Sequence, residues 1–143
     1  MNSHLVFVYG TLRSGSAGAM SVRFPNSKFV SSAQVSGSLY DLGPYPGLLL
    51  NETSALVVGE VYEVDDETLN EMDAFEAGSD YVRKPVEISL ATGRRAGWTY
   101  EPNPESYSLR TLITSADWIE CARTKTDGPE TRSPTKTRYL RQR

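Results

Sequence analysis

Runs of apolar residues along the chain predict its strands. Residues 5–9 (Leu-Val-Phe-Val-Tyr) are apolar on both alternating faces, which is typical of a strand buried on both sides, and the next residue, a glycine, ends this strand. Residues 34–41 and 57–64 alternate between apolar and polar positions, so each predicts a strand with one buried face. Between them, Gly43-Pro44-Tyr45-Pro46-Gly47 predicts a rigid turn before a short strand at 48–50.

The second half of the chain predicts helices and a hairpin. A helix is expected at residues 66–77, since Asp65 or Asp66 is a good N-cap and Gly78 suits the C′ position. Period-two alternation returns at residues 81–90, where Pro85 indicates an edge strand or a bulge.

The last elements complete the expected fold. Thr92-Gly93 predicts the turn of a hairpin whose second strand includes residues 96–100. Thr114 or Ser115 is the expected N-cap of a last helix that ends near Arg123. Because strands outnumber helices, we expect an α+β fold with a twisted, barrel-like sheet.

Length and charge indicate one domain with a tail. The 143 residues, 38% hydrophobic and 23% charged, suit a single globular domain. Residues 124–143 contain six Lys/Arg and two Asp/Glu, a charge of +4, so the net charge of −3 leaves −7 on residues 1–123. This tail is also rich in Thr, Ser, Pro and Gly, so we expect a domain at 1–123 and a basic, disordered tail at 124–143. A weak nucleic-acid tether is the less favoured alternative for the tail.

The sequence also limits location and cofactors. No apolar run approaches the ~20 residues of a membrane span, and residues 1–12 lack the segments of a secretory signal, so we expect a cytoplasmic protein. One cysteine, Cys121, cannot form an internal disulfide and is expected to be a buried, inert thiol. One histidine, His4, leaves little material for a zinc site or a catalytic triad.

The predicted helix carries an acidic residue on its apolar side. Leu69 and Met72 share one face, and adding four positions to each gives Asp73 and Glu76. Carboxylates are rarely buried unless they are paired or functional, and burial raises the pKa of a glutamate toward the range useful for proton transfer. Glu76 is therefore a candidate general acid/base. The alternative is that the helix frays at its end, so that Glu76 faces solvent or pairs with Arg83.

The loop after the first strand, Tyr9-Gly10-Thr11-Leu12-Arg13, is the second candidate. Successive backbone N–H groups in such a loop can bind a carboxylate or a developing oxyanion, and the alternative is a simple turn. Neither a phosphate loop nor a dinucleotide fingerprint is present in the sequence. Trp98 and Tyr100 are expected to fill the core, with the tyrosine hydroxyl able to reach a polar ligand.

Seven short motifs follow one another along residues 5–123. They are Val8-Tyr9-Gly10-Thr11-Leu12, Tyr45-Pro46-Gly47, Gly59-Glu60-Val61-Tyr62, Met72-Asp73-Ala74-Phe75-Glu76, Tyr81-Val82-Arg83, Trp98-Thr99-Tyr100 and Ser115-Ala116-Asp117-Trp118. In this order they resemble the γ-glutamyl cyclotransferase-like family, which includes the γ-glutamylamine cyclotransferases and other AIG2-like small proteins. The one departure is Met72, which stands where the family has leucine and conserves its volume.

The resemblance implies a small mixed sheet curled into a barrel, with short flanking helices and a cavity at the Tyr-Gly-Thr-Leu loop. It also implies that Glu76 is the acid/base and that the main chain of residues 10–12 holds a small γ-glutamyl substrate, which cyclises and leaves as 5-oxoproline without a cofactor. The candidate substrate-binding residues are Tyr9, Gly10, Thr11, Leu12, Tyr45, Tyr81 and Tyr100. The alternative function is a non-catalytic module that binds a small metabolite in the same cavity. No metal, nucleic acid or membrane partner is expected.

Overall fold

The computed structural model describes residues 3–10, 12–13, 19–42, 46–51, 55–103, 105–107, 113 and 116–119. In chain order its elements are β1 (Ser3–Val8), α1 (Met20–Arg23), β2 (Lys28–Asp41), β3 (Pro46–Leu50), β4 (Leu56–Asp65), α2 (Asp66–Ala77), β5 (Tyr81–Leu90) and β6 (Gly93–Pro102). The described residues include no helix that is both long enough and apolar enough to cross a membrane.

Five of these strands close into a barrel. Their order is β2-β4-β1-β6-β5, and the pairing of Gln34 with Ser89 joins β5 back to β2. β1 and β6 run parallel, whereas the other neighbouring pairs are antiparallel, so the sheet is mixed. β3 extends the sheet beyond β2. The prediction of an α+β fold with a mixed, barrel-like sheet is therefore confirmed.

Two apolar clusters lie on opposite sides of β1. Leu5 and Phe7 belong to a cluster that also takes residues from β2, β4 and β5, and so fills the barrel. Val6 and Val8 belong to a cluster that contains residues of α1 and α2, and so joins the barrel to its helices. Both sides of β1 are thus buried, as its continuous apolar run predicts.

The helix α2 occupies the predicted residues. Asp65 is its N-cap, with Oδ1 accepting a 2.8 Å hydrogen bond from the Thr68 backbone N–H. The expectation that Gly78 is a C′ residue is wrong, because Gly78 has a helical φ of −61° and is itself the C-cap. Two further turn hydrogen bonds follow, from Ser79 to Glu76 and from Asp80 to Ala77, before the chain becomes left-handed at Asp80 with a φ of 62°.

β2 and β3 begin earlier than the sequence pattern predicts. The first half of β2 exposes Phe29 and Val30, so it has no alternation to detect, and it is a strand because it pairs with β4. β3 begins at Pro46, because Pro46 and Gly47 pair with the end of β2. The predicted turn at 43–47 is therefore wrong at its last two residues, and residues 43–45 lie outside the described residues.

The remaining predictions concern the end of the chain. β6 begins at Gly93, whose φ of 134° is a conformation that favours glycine, after a turn at residues 91–92. Of the predicted last helix, Trp118 and Ile119 are helical, and Trp118 is buried in the barrel. The N-cap of that helix, Cys121 and the tail at 124–143 lie outside the described residues.

Candidate active site

Glu76 lies on the buried face of α2. Only 3% of the residue is exposed, and it shares this face with Leu69 and Met72 at the spacing that the sequence predicts. The alternative in which Glu76 faces solvent is therefore wrong. Asp73 lies at the edge of the same face, where its Oδ1 is 3.3 Å from Nε of Arg83.

The loop after β1 is anchored at both ends. The Arg13 backbone N–H donates a 3.0 Å hydrogen bond to the Gly10 carbonyl, which closes a turn. The Met20 backbone N–H donates a 2.8 Å hydrogen bond to the Leu12 carbonyl, and the Leu12 side chain is buried among the helix-facing residues. A Cβ atom at position 10 would lie 3.0 Å from Cγ of Pro46, so a glycine allows the close approach of β3. Thr11 lies outside the described residues.

A single cavity brings this loop and Glu76 together. Its volume is about 320 Å³, counting the open mouth, and its described lining residues are Phe7, Val8, Tyr9, Gly10, Leu12, Pro46, Glu76, Tyr81 and Tyr100. Glu76 is the only carboxylate in that lining, and the other side chains are apolar or aromatic. The juxtaposition of Glu76 with residues 10 and 12 is the one that the sequence motifs imply.

Two tyrosine hydroxyls fasten the cavity wall. The Tyr9 hydroxyl donates a 2.6 Å hydrogen bond to the Tyr100 carbonyl and accepts a 3.1 Å hydrogen bond from the Leu48 backbone N–H. The Tyr81 hydroxyl donates a 2.6 Å hydrogen bond to the Pro46 carbonyl. Both tyrosines thereby connect β3 to the barrel beside the cavity. Tyr45, the other predicted tyrosine, lies outside the described residues.

The third lining tyrosine, Tyr100, is bonded to α2. Its hydroxyl donates a 2.7 Å hydrogen bond to Oδ1 of Asp73, the carboxylate that Arg83 also contacts. The Arg83 guanidinium carbon in turn lies 4.3 Å from the ring centroid of Trp98. Burial, then the neighbouring charges of Asp73 and Glu76, raise the pKa of Tyr100 above its usual range. Tyr100 therefore stays protonated and remains a donor at neutral pH.

A buried polar network lies behind the loop. The Arg13 guanidinium contacts Asp117, with 2.8 Å between Nη1 and Oδ1, and Glu60, with 3.7 Å between Nε and Oε2. The Tyr62 hydroxyl donates a 3.0 Å hydrogen bond to Oε1 of Glu60. Burial, followed by the charge of Glu60, raises the pKa of Tyr62 above its usual range. Sequence reasoning did not assign this network, although Glu60 alternates with Tyr62 and Val64 on one buried side of the strand at 57–64, which is a signal for it.

The remaining ionisable candidates lie away from the cavity lining. His4 pairs with Asp66 at the start of α2, with 2.6 Å between Nε2 and Oδ1. Within the described part of the chain, no three His, Cys, Asp or Glu residues come together as a metal site.

Known proteins that are similar in sequence and fold show the family to which this chain belongs. The sequence model of the family described as Gamma-glutamyl cyclotransferase, AIG2-like matches residues 6–120. A solved structure of an AIG2-like protein from Mus musculus has a TM-score of 0.65, covers 92% of this chain and 94% of that one, and at 23% identity shows the fold alone.

Two relatives carry the sequence comparison further. The chain is 36% identical over 128 residues to the γ-L-glutamyl-butirosin B γ-glutamyl cyclotransferase of Niallia circulans, covering 79% of this chain and 74% of the relative. It is 33% identical over 123 residues to the γ-glutamylcyclotransferase family protein YtfP of Escherichia coli K12, covering 80% of this chain and 96% of the relative. The chain thus belongs to the γ-glutamyl cyclotransferase, AIG2-like family.

Proposed function

We propose that the protein is an enzyme that releases 5-oxoproline from a γ-glutamyl amine or a γ-glutamyl amino acid. The observation that carries this proposal is the buried carboxyl group of Glu76, which lines one cavity with Gly10 and Leu12. Membership of the family supports the reaction class, and the relative from Niallia circulans is named for cyclotransfer on γ-L-glutamyl-butirosin B.

In the proposed mechanism, the Glu76 carboxylate accepts a proton from the α-ammonium group of the substrate. The freed nitrogen attacks the γ-carbonyl carbon of the same glutamyl group and closes a five-membered lactam. The bond between the γ-carbonyl carbon and the leaving nitrogen then breaks as Glu76 returns the proton to that nitrogen, and the released amine takes up the second proton that the lactam nitrogen loses. One carboxyl group thus acts as base and then as acid, which is typically worth about 10²–10⁴-fold in rate.

The loop at residues 10–12 supplies the second part of the mechanism. Its backbone N–H groups bind the substrate's carboxylate or the oxygen of the γ-carbonyl, where negative charge develops during attack. Within this loop, the role of Thr11 rests on the sequence resemblance. So does the role of Tyr45 as a substrate-binding residue, since both residues lie outside the described part of the chain.

The cavity walls suit an intramolecular reaction. Ring closure requires the substrate to be held in a bent conformation, and such positioning can supply up to about 7–11 kcal/mol of the barrier. The aromatic side chains of Phe7, Tyr81 and Tyr100 line the cavity and can hold a small substrate in one conformation. The reaction needs no oxidant, reductant or cofactor, because its bonds and protons balance within the substrate and Glu76.

The experiment is a turnover assay combined with a binding assay. The protein is incubated with a panel of γ-glutamyl amines and γ-glutamyl amino acids, and 5-oxoproline release is measured by mass spectrometry. We expect release from at least one member of the panel. Thermal stabilisation by 5-oxoproline without turnover of any member would contradict the enzymatic proposal and favour the non-catalytic binding module. If the protein shows neither turnover nor stabilisation, the result contradicts both the enzymatic proposal and the binding module.

A further inference from the structure

Three sequence motifs meet in the buried network behind the substrate loop. Arg13 directly follows the Tyr-Gly-Thr-Leu motif, Glu60 belongs to the Gly-Glu-Val-Tyr motif, and Asp117 belongs to the Ser-x-Asp-Trp motif. None of these three charged residues lines the described cavity. The proposed chemistry therefore does not use them, although Arg13 is the residue next to the loop that binds substrate in that proposal.

The charges in this network are largely removed from water. The side chains of Arg13, Glu60 and Asp117 are 12%, 8% and 23% exposed. Burying charges costs free energy that their attraction often fails to return, so a buried ion network is weak evidence for stability alone. One function of such networks is to select a single conformation.

The contacts of the network show where it meets the loop. Glu60 lies opposite Val8 in the register of β4 and β1, so it lies beside the point where β1 leads into the loop. Arg13 is the last residue of the turn that its own backbone N–H closes on the Gly10 carbonyl. The Arg13 side chain therefore connects the end of that turn to β4 through an ion contact with Glu60, in which the buried Nε of Arg13 makes no hydrogen bond.

Asp117 attaches the same turn to the barrel from a third segment. The Val58 backbone N–H donates a 2.9 Å hydrogen bond to the Ala116 carbonyl, and Trp118 is 1% exposed inside the barrel. Asp117 is thus held between two fixed residues when it accepts the 2.8 Å hydrogen bond from Nη1 of Arg13. The turn is in this way fastened to two separate parts of the barrel wall.

We propose that Arg13 is a positioning residue, whose buried contacts with Glu60 and Asp117 hold the loop at residues 10–12 in the orientation that binds substrate. The proposal rests on the proposed function for the role of the loop, but its structural part is independent of turnover. Tyr62 supports the proposal indirectly. Its hydroxyl donates a hydrogen bond to Oε1 of Glu60, two residues away on β4, and so helps to orient the Glu60 carboxylate.

The test compares Glu60→Gln with the wild type and with Ile88→Val. Glu60→Gln keeps the shape of the side chain and removes the charge that faces Arg13. Ile88→Val weakens the barrel interior at a buried residue that is not among the described cavity lining, so it controls for lost stability. Four quantities are measured: amide hydrogen exchange of the peptide that contains residues 10–13, the Kd of 5-oxoproline, and both kcat and KM for a substrate that the wild type turns over.

We expect the loop to loosen in Glu60→Gln while the chemistry at Glu76 is preserved. Exchange of the Arg13 amide, which reports the turn, should accelerate about tenfold, and KM and the 5-oxoproline Kd should rise about tenfold, because the ion contact between Glu60 and Arg13 is lost. The pH dependence of kcat should stay unchanged. Arg13→Lys, which keeps the charge but lacks the planar fork, should show the same changes, and Tyr62→Phe should show smaller ones.

Exchange, KM and Kd values in Glu60→Gln that match those of Ile88→Val would overturn the proposal. If Glu60→Gln does not fold, Tyr62→Phe decides by the same comparison. If the wild type turns over no γ-glutamyl compound, the proposed function fails, whereas the exchange comparison, which needs no substrate, still decides whether the network positions the loop.

Discussion

The hydroxyl of Tyr100 donates a 2.7 Å hydrogen bond to Oδ1 of Asp73, and the same tyrosine lines the cavity beside Glu76. Asp73 and Glu76 are separated by one helical turn of α2, yet they have different environments. Glu76 is buried in the cavity wall, whereas the Asp73 side chain is 36% exposed and also contacts Arg83. Two acids on one helix therefore differ in their contacts, since Asp73 contacts the Tyr100 hydroxyl and Arg83, whereas Glu76 lies in the cavity lining.

Replacing Tyr100 by phenylalanine should impair substrate binding more than folding. The change removes the hydrogen bond that fixes the ring against α2, and a hydrogen bond to a charged group contributes about 1.5 kcal/mol or more, or about tenfold in kcat/KM. Steady-state kinetics with a turned-over γ-glutamyl substrate measures this loss. Asp73→Asn keeps an oxygen acceptor for Tyr100 and should lose less activity. Wild-type kcat/KM in Tyr100→Phe would show that the hydroxyl does not orient the wall.

The raised pKa of Tyr100 predicts a loss of stability in alkaline solution. In the folded protein the hydroxyl keeps its proton above pH 10, whereas in the unfolded chain it ionises near its ordinary pKa of about 10. The folded state then binds more protons than the unfolded state, so the free energy of unfolding falls as the pH rises above about 10. Below that pH the contribution of Tyr100 is fully present.

Urea denaturation at several pH values from about 9 to about 11 measures this dependence. The slope of the unfolding free energy against pH should be smaller in Tyr100→Phe than in the wild type. Tyr62→Phe should reduce the slope for the same reason, because burial and Glu60 raise the pKa of Tyr62 as well. Equal slopes in all three proteins would contradict the burial of these hydroxyls.

A methyl group added at Gly59 should destabilise the barrel. A Cβ atom there would lie 2.4 Å from the Val8 carbonyl oxygen and 2.5 Å from Cζ of Phe7, so β4 and β1 would have to separate. We expect a loss of about 1–3 kcal/mol in the free energy of unfolding, the usual cost of overpacking.

Gly78→Ala is the matched control for Gly59→Ala. Gly78 has a helical φ of −61°, and its added Cβ would meet only the Phe75 carbonyl oxygen, at 3.3 Å. Alanine restricts the unfolded chain more than glycine, so this change should be close to neutral. Chemical denaturation compares the two variants, and equal effects would be evidence against the close packing of β4 on β1.

The elements with a continuous buried face were predictable from the sequence. β1 is buried on both sides, α2 has a regular apolar stripe, and Glu76 continues that stripe into the cavity. The first half of β2 was not predictable, because it exposes Phe29 and Val30 and is held by backbone pairing with β4. Periodicity detects burial, and it does not detect a strand whose side chains remain in solvent.

The polar contacts of the site were less predictable than its main residues. Arg13 and Asp117 are 104 residues apart in the sequence and meet only because β4 brings their segments together. Likewise, the partner of the Tyr100 hydroxyl lies on α2, which no local pattern in β6 indicates. Motif order implied that the loop and Glu76 share a cavity, but pairwise contacts between distant segments require the folded structure.

The replacement of Glu76 by glutamine tests the central claim most directly. Glutamine keeps the size of the side chain and removes the group that accepts and returns the proton, so the rate of 5-oxoproline release should fall by about 10²–10⁴-fold. Glu71→Gln, the same change at an exposed position of α2, should keep the wild-type rate. A wild-type rate of 5-oxoproline release in Glu76→Gln, from a substrate that the wild type turns over, would contradict the proposed mechanism.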